Sequence, residues 1–347
     1  MNKIKVLVVC PDAADATSYY RIWGTIPDIE KRSNIEFTAF EKAFTLVGMK
    51  LELRHNAKTD KIEQVKIKDW GLAWTELQRF DVLWVQRAYQ PEVLNLVTFA
   101  KEMGLKIIYD IDDNLWEIPQ SFEVKKVYPP ATLAIMDEII TQCDAVMVST
   151  QALKQYIDNR LGVECTVINN GWDIDRYPLL PFNSQGITAW RGSSTHIADI
   201  ELYRKDIERF ENVTFLGYDP VTSKPHIKSK GYKYQNPVDP FVYQRLIRSM
   251  GIKLMLCPLV PDLFNECKSN IAWLEATAAG ALLVGNQHGE FEGKGINFTD
   301  VDDIGHVMDE MIHLTNCQWI RDNYTLSKMN DKRIELFTFV KGYNGNI

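Results

Sequence analysis

Apolar positions along the chain follow two periods that take turns. Residues 3–10 (KIKVLVVC) form an almost continuous apolar run, as in the central strand of a parallel sheet covered on both faces. Residues 35–40 repeat the pattern, and residues 81–86 (DVLWVQ) and 106–109 (KIIY) flank a helical period over 92–103. Strand, helix and strand in that order predict a βαβ unit with a right-handed crossover. Residues 50–54 and 61–67 alternate apolar and polar around HNAKTD, which predicts a β-hairpin inserted into the sheet order. Helical and strand periods then succeed one another at 131–142, 145–149, 150–160 and 166–168. Pro, Asn, Ser and Gly gather over 176–186, the signature of a boundary. A second series of strands follows at 187–190, 213–216, 253–257 and 281–284, and residues 301–342 read as largely helical.

The expected fold class is α/β, with two Rossmann-like domains. Residues 1–180 form the first and 186–315 the second, while a C-terminal helix, 317–347, packs back on the first. The 347 residues, 46% hydrophobic and 24% charged, suffice for two cores of domain size. No run approaches the ~20 apolar residues of a membrane-spanning helix. The polar start and short apolar run contain no small-residue cleavage site, so the expected location is the cytoplasm. Six cysteines are spread without any CxxC pair and read as reduced structural thiols; six histidines show no HExxH spacing. A net charge of −7 gives no global attraction to nucleic acid or anionic lipid. The basic stretch at 224–233 (KPHIKSKGYK) is read as solvated surface, with a local nucleic-acid contact as the alternative.

Candidate chemistry collects where strands end. The loop after the first strand, PDAADATSYYRIW, occupies the place where open α/β sheets bind ligands, yet lacks the GxGxxG of a dinucleotide-binding turn. Residues 110–116 (DIDDNLW) place three carboxylates together. They suit either oxygen ligation of a divalent metal or a catalytic cleft in which one acid acts and its neighbours cap backbone N–H groups. The second reading is preferred, and no metal is expected. In RGSSTHIADIELYRKDI a helix opens with Ser194 or Thr195 as N-cap, Gly192 allows a close approach, and the helix N-terminus suits an anion. Residues 271–284 read as a helix running into a strand, apolar except for Glu275. A buried acid needs a ligand hydroxyl or a basic side chain. Lys268, seven residues earlier, would share a helical face with it, and Gly280 stands where a helix end wants positive φ.

These residues carry a resemblance. From position 243 onward the chain has a helix, a strand ending in Pro-Leu, then FNECKSNIAWLE and a small-residue turn into a strand; SYYR, DIDDNLW, STQAL and NNGWD precede it in that order. The pattern resembles that of the GT-B nucleotide-sugar-dependent glycosyltransferases, in particular the large retaining family with bacterial and phage members. The resemblance implies two Rossmann-like domains facing each other across a cleft and transfer of a sugar, with retention and without metal, from a nucleotide-diphosphate sugar to an acceptor hydroxyl. A UDP-sugar is the expected co-substrate. It also implies that Glu275 accepts from ribose hydroxyls, that Lys268 and Ser269 lie over the sugar or diphosphate, that the loop Arg191, Gly192, Ser193 and Ser194 faces the diphosphate, and that His196 belongs to the donor set. Asn265 belongs with the donor set, because the family's usual second glutamate falls on Cys267. Asp112 and Asp113 are the expected catalytic acids, and Tyr20, Arg21, Arg87 and Trp116 the acceptor side. The acceptor is a glycan or another hydroxyl compound. Alternatives are a hydroxymethylated pyrimidine in DNA, a nucleotide-sugar epimerase, or a non-catalytic nucleotide-binding module.

Overall fold

A computed structural model describes residues 3–10, 15–39, 49–56, 61–68, 77–120, 122–301 and 306–342. The strands in chain order are β1 (Ile4–Val9), β2 (Ile35–Ala39), β3 (Met49–Asn56), β4 (Lys61–Lys68), β5 (Val82–Gln86), β6 (Lys106–Ile111), β7 (Ala145–Val148) and β8 (Cys165–Val167), then β9 (Ile187–Arg191), β10 (Thr214–Leu216), β11 (Lys233–Gln235), β12 (Ile252–Leu256) and β13 (Leu282–Val284). Six of the first eight make a parallel sheet in the order β2-β1-β5-β6-β7-β8; the last five make a second parallel sheet in the order β11-β10-β9-β12-β13. Two doubly wound α/β units facing each other across a cleft constitute the GT-B architecture.

Burial explains why the central strands read as continuous apolar runs. Val82, Leu83, Trp84 and Val85 are all 0% exposed, because apolar side chains cover both faces of the sheet. One face of the first sheet packs with Leu96, Val97 and Phe99 of the helix Pro91–Glu102 and with Met136 and Ile140 of Pro130–Gln142. The other face packs Ile4, Val6 and Trp84 against Met329, Phe337 and Val340 of the helix Leu326–Val340. There the Trp84 and Phe337 rings meet edge to face at 5.2 Å. The second sheet is likewise covered on both faces.

Three local readings change. The hairpin forms, but β3 and β4 pair antiparallel as a separate two-stranded sheet, and β1 pairs directly with β5. An edge strand, β11, lies at the end of the basic stretch; its short, mostly exposed sequence has no apolar period to announce it. Lys268 does not share a helical face with Glu275. The chain makes a short helix, Leu263–Glu266, breaks, and restarts at Ile271–Ala278 with Asn270 as N-cap, so Lys268 lies in the break.

Candidate active site

The carboxyl ends of both sheets point into one cleft. From the first domain come Ala16, Thr17 and Tyr20 after β1, and Asp112 and Asp113 after β6, while the expected Arg87 after β5 lines neither cavity and packs beside Thr17 and Asp113. From the second come Arg191 to Ser193 after β9, Cys257 after β12, and the break at Lys268 and Ser269. Two cavities of about 280 and 230 Å³ adjoin there, with Ala16, Tyr20, Arg191, Ser193 and His196 lining both. The first continues along Leu216, Gln235 to Val238, Tyr243 and Glu275; the second reaches Asp112, Asp113, Lys268, Ser269 and Ala272.

Glu275 is 1% exposed. Its Oε1 accepts a hydrogen bond from the Tyr20 hydroxyl at 2.8 Å. Its Oε2 lies 3.0 Å from Arg191 Nε, an ion pair without hydrogen-bond alignment, so this buried oxygen has no hydrogen-bond partner. Burial pushes the Glu275 carboxyl up, opposed by Arg191 and by the Tyr20 hydrogen bond. Tyr20 belongs to a single π-helical turn, Tyr19–Trp23, a rare geometry that inserts one extra residue and is common at functional sites.

The turn after β9 is built tightly. A Cβ at Gly192 would come within 2.5 Å of the Trp190 ring, which explains the glycine by close approach. Ser193, one residue earlier than expected, caps the 3-10 turn Ser194–His196. His196 Nδ1 lies 2.8 Å from Asp199 Oδ2. Asp199 Oδ1 in turn accepts from the Val260 backbone N–H at 2.6 Å and from Asn265 Nδ2 at 3.2 Å. Burial and the Lys268 charge hold the imidazole below its usual pKa, so it is neutral near pH 7, with Nδ1–H donating to Asp199.

On the opposite wall Asp112 is 7% exposed, and its Oδ1 is buried without a hydrogen-bond partner. Burial, then the neighbouring Asp113, pushes its carboxyl up to about 7 against the pull of Arg87 and Arg21. Arg87 approaches Asp113 to 3.6 Å and donates to Thr17 Oγ1 at 3.1 Å. It does so from φ +49°, a left-handed conformation unusual for arginine, held in part by its N–H donating to the Asp110 carbonyl.

Three expected site residues lie elsewhere. Arg21 is 0% exposed and lines neither cavity: its Nε donates to Asp110 at 2.7 Å and its Nη1 to the Ile168 carbonyl at 2.6 Å, tying the segment after β1 to the ends of β6 and β8. Trp116 turns away from the cleft, donating Nε1 to Asp137 at 2.6 Å with Arg160 over its ring. Asn265 is 1% exposed and supports Asp199 from behind. Cys267 also faces the first domain: Asn114 donates to its Sγ at 3.5 Å and Thr150 to its carbonyl at 3.0 Å. The structure adds Asp199 and Tyr243 to the site. Asp199 was legible three residues after His196 on a helical turn; Tyr243 carried no signal of its own. Among the described residues, no three His, Cys, Asp or Glu side chains converge as metal ligands, and no helix is long and apolar enough to cross a membrane.

No family model matches the sequence, and no curated protein matches it. Among solved structures the chain is similar to the spinosyn rhamnosyltransferase SpnG complexed with spinosyn aglycone, at 10% identity over 95% of this chain and all of that one, with a TM-score of 0.43. It is similar to CalG4, the calicheamicin glycosyltransferase, at 11% identity over the whole of both chains and a TM-score of 0.43. It is also similar to accessory secretory proteins 1, 2 and 3 of Streptococcus pneumoniae, at 12% identity over 78% of this chain and 56% of that one, with a TM-score of 0.46.

Proposed function

We propose that this chain is a glycosyltransferase that moves a sugar from a nucleotide-diphosphate sugar, a UDP-sugar first, to an acceptor hydroxyl. The observation that supports it most is Glu275: an acid nearly out of solvent, with one oxygen lacking any hydrogen bond, lining a cavity at the carboxyl ends of two parallel sheets beside Arg191. A buried acceptor of this kind suits the hydroxyls of a ribose. Arg191 at one side and Lys268 at the other would hold the diphosphate and offset the negative charge that grows on it as the anomeric bond breaks. The neutral His196, fixed by Asp199, offers its Nε2 to the same space.

Asp112 is suited to take the acceptor's proton, since a base titrating near 7 is matched to neutral pH. Arg87 and Asp113 set its field. In this reading the sugar is transferred with retention and without metal, to a glycan or another hydroxyl compound. A hydroxymethylated pyrimidine in DNA would use the same cleft, and salt-dependent duplex binding separates the two acceptors.

The test is a thermal-shift screen across UDP-, GDP-, ADP- and TDP-sugars, followed by mass spectrometry of products. One nucleotide family is expected to raise the melting temperature in proportion to occupancy, and Glu275→Ala to reduce the rise at the same ligand concentration. Absence of stabilisation by every nucleotide at millimolar concentration would sink the proposal.

A further inference from the structure

We infer that Tyr20 sets how the cleft reads the sugar of a nucleotide, by holding the Glu275 oxygen that a second ribose hydroxyl would otherwise take. The inference rests on the nucleotide reading above and extends it to the choice between ribose and deoxyribose. A carboxylate offers two oxygens, and the vicinal hydroxyls of a ribose can engage both. Here they are not equivalent. Oε1 accepts from Tyr20 at 2.8 Å, while Oε2 lies 3.0 Å from Arg191 Nε and accepts no hydrogen bond from any described residue. Oε2 is therefore the oxygen left to accept from one sugar hydroxyl, and a second hydroxyl would have to share Oε1 with Tyr20.

Tyr20 is held in place from both sides. The preceding residue, Tyr19, packs edge to face on its ring at 5.2 Å and reaches the second domain, donating its hydroxyl to Gln244 at 3.1 Å and packing edge-on against Phe241 at 4.9 Å. The following residue, Arg21, is 0% exposed and bonded to Asp110 and the Ile168 carbonyl. A tyrosine fixed at both neighbours does not yield its acceptor without moving the turn that carries it. The second hydroxyl of a ribose thus gains little in the wild-type cleft, whereas a deoxyribose loses little.

Calorimetry on the full chain with the pairs UDP and dUDP, ADP and dADP, and GDP and dGDP tests this, using the pair that binds. In the wild type the two members are expected to agree within about 3-fold. Tyr20→Phe keeps the ring and frees Oε1, so the ribonucleotide should gain about tenfold or more over its deoxy partner, the scale of one hydrogen bond to a charged acceptor. A wild-type preference for the ribonucleotide of about tenfold or more overturns the inference by itself, whatever the variant does. So does a ratio that Tyr20→Phe leaves unchanged while binding persists, and that outcome leaves the nucleotide reading standing. Failure of every pair to bind overturns both.

Discussion

Glu275 and Asp112 face one cleft from opposite domains and are held in opposite ways. Glu275 has a cation and a tyrosine hydroxyl against it; Asp112 has a second carboxylate beside it and an unpartnered oxygen. Glu275→Ala is expected to weaken nucleotide-sugar binding by several-fold or more, since a buried hydrogen-bonding partner contributes ~1–3 kcal/mol. Unchanged affinity in calorimetry, with the fold intact, would remove Glu275 from the site. For Asp112 the sign follows from linkage. Its carboxyl titrates higher in the folded protein than in the unfolded chain, so the native state gains from the protonated form, and that gain is lost as pH rises toward and through about 7. Asp112→Asn should therefore raise the melting temperature more at pH 8 than at pH 5, while transfer activity collapses at both. An equal shift at the two pH values contradicts the assignment. Arg333 offers a third case. It is 0% exposed, its Nε and Nη2 have no hydrogen-bond partner, and burial with the nearby Arg21 pulls it down to about 9. Arg333→Met should be neutral or stabilising by ~1 kcal/mol in urea titrations, because an apolar side chain of similar volume avoids the desolvation cost. A loss above ~3 kcal/mol would mean that its one bond, to Asn330 at 3.1 Å, carries more than its geometry implies. Glu275 was legible as a lone acid in an apolar helix. Arg21 was expected on the acceptor side from the resemblance alone, and nothing in sequence showed that Asp110 lies within 2.7 Å of it.

The elements were legible where they are buried on both faces. Strands β1, β5, β6 and β12 announce themselves as apolar runs because helices cover the sheets; β11, exposed at an edge, does not. The join between the helix Ile271–Ala278 and β13 shows the local logic. Gly280 has φ +79°, and a Cβ there would stand 2.4 Å from the Pro181 carbonyl oxygen. Gly280→Ala combines backbone strain with a backbone clash and should cost ~2 kcal/mol or more in chemical denaturation. A change under ~0.5 kcal/mol would show that the turn can relax. The break before this helix was missed because the seven-residue spacing of Lys268 and Glu275 fits one helical face, although residues 265–270 (NECKSN) carry almost no apolar position. Tertiary contacts explain it: Cys267 turns into the first domain while Ile271 and Ala272 line the cleft.

At the scale of the molecule the two domains are sewn together in both directions. Phe264 and Cys267, from the second half of the chain, belong to the core of the first sheet, where Phe264 meets Phe122 edge to face at 6.0 Å. The helix Leu326–Val340 crosses back to cover the other face. Phe264→Ala should cost ~3 kcal/mol. The wild type is expected to melt in a single transition and the variant in a broadened or split one; a single transition at an unchanged temperature in the variant would show that the domains do not depend on this contact. The order of synthesis gives the crossing helix a second meaning. On the ribosome, residues 3–167 emerge with six strands able to pair, but the face carrying Ile4, Val6 and Trp84 waits for Met329 and Phe337, which are made only after the whole second domain. The half that is translated first is thus completed last, and its apolar face needs shielding, by a chaperone or by transient collapse, for nearly the full time of translation.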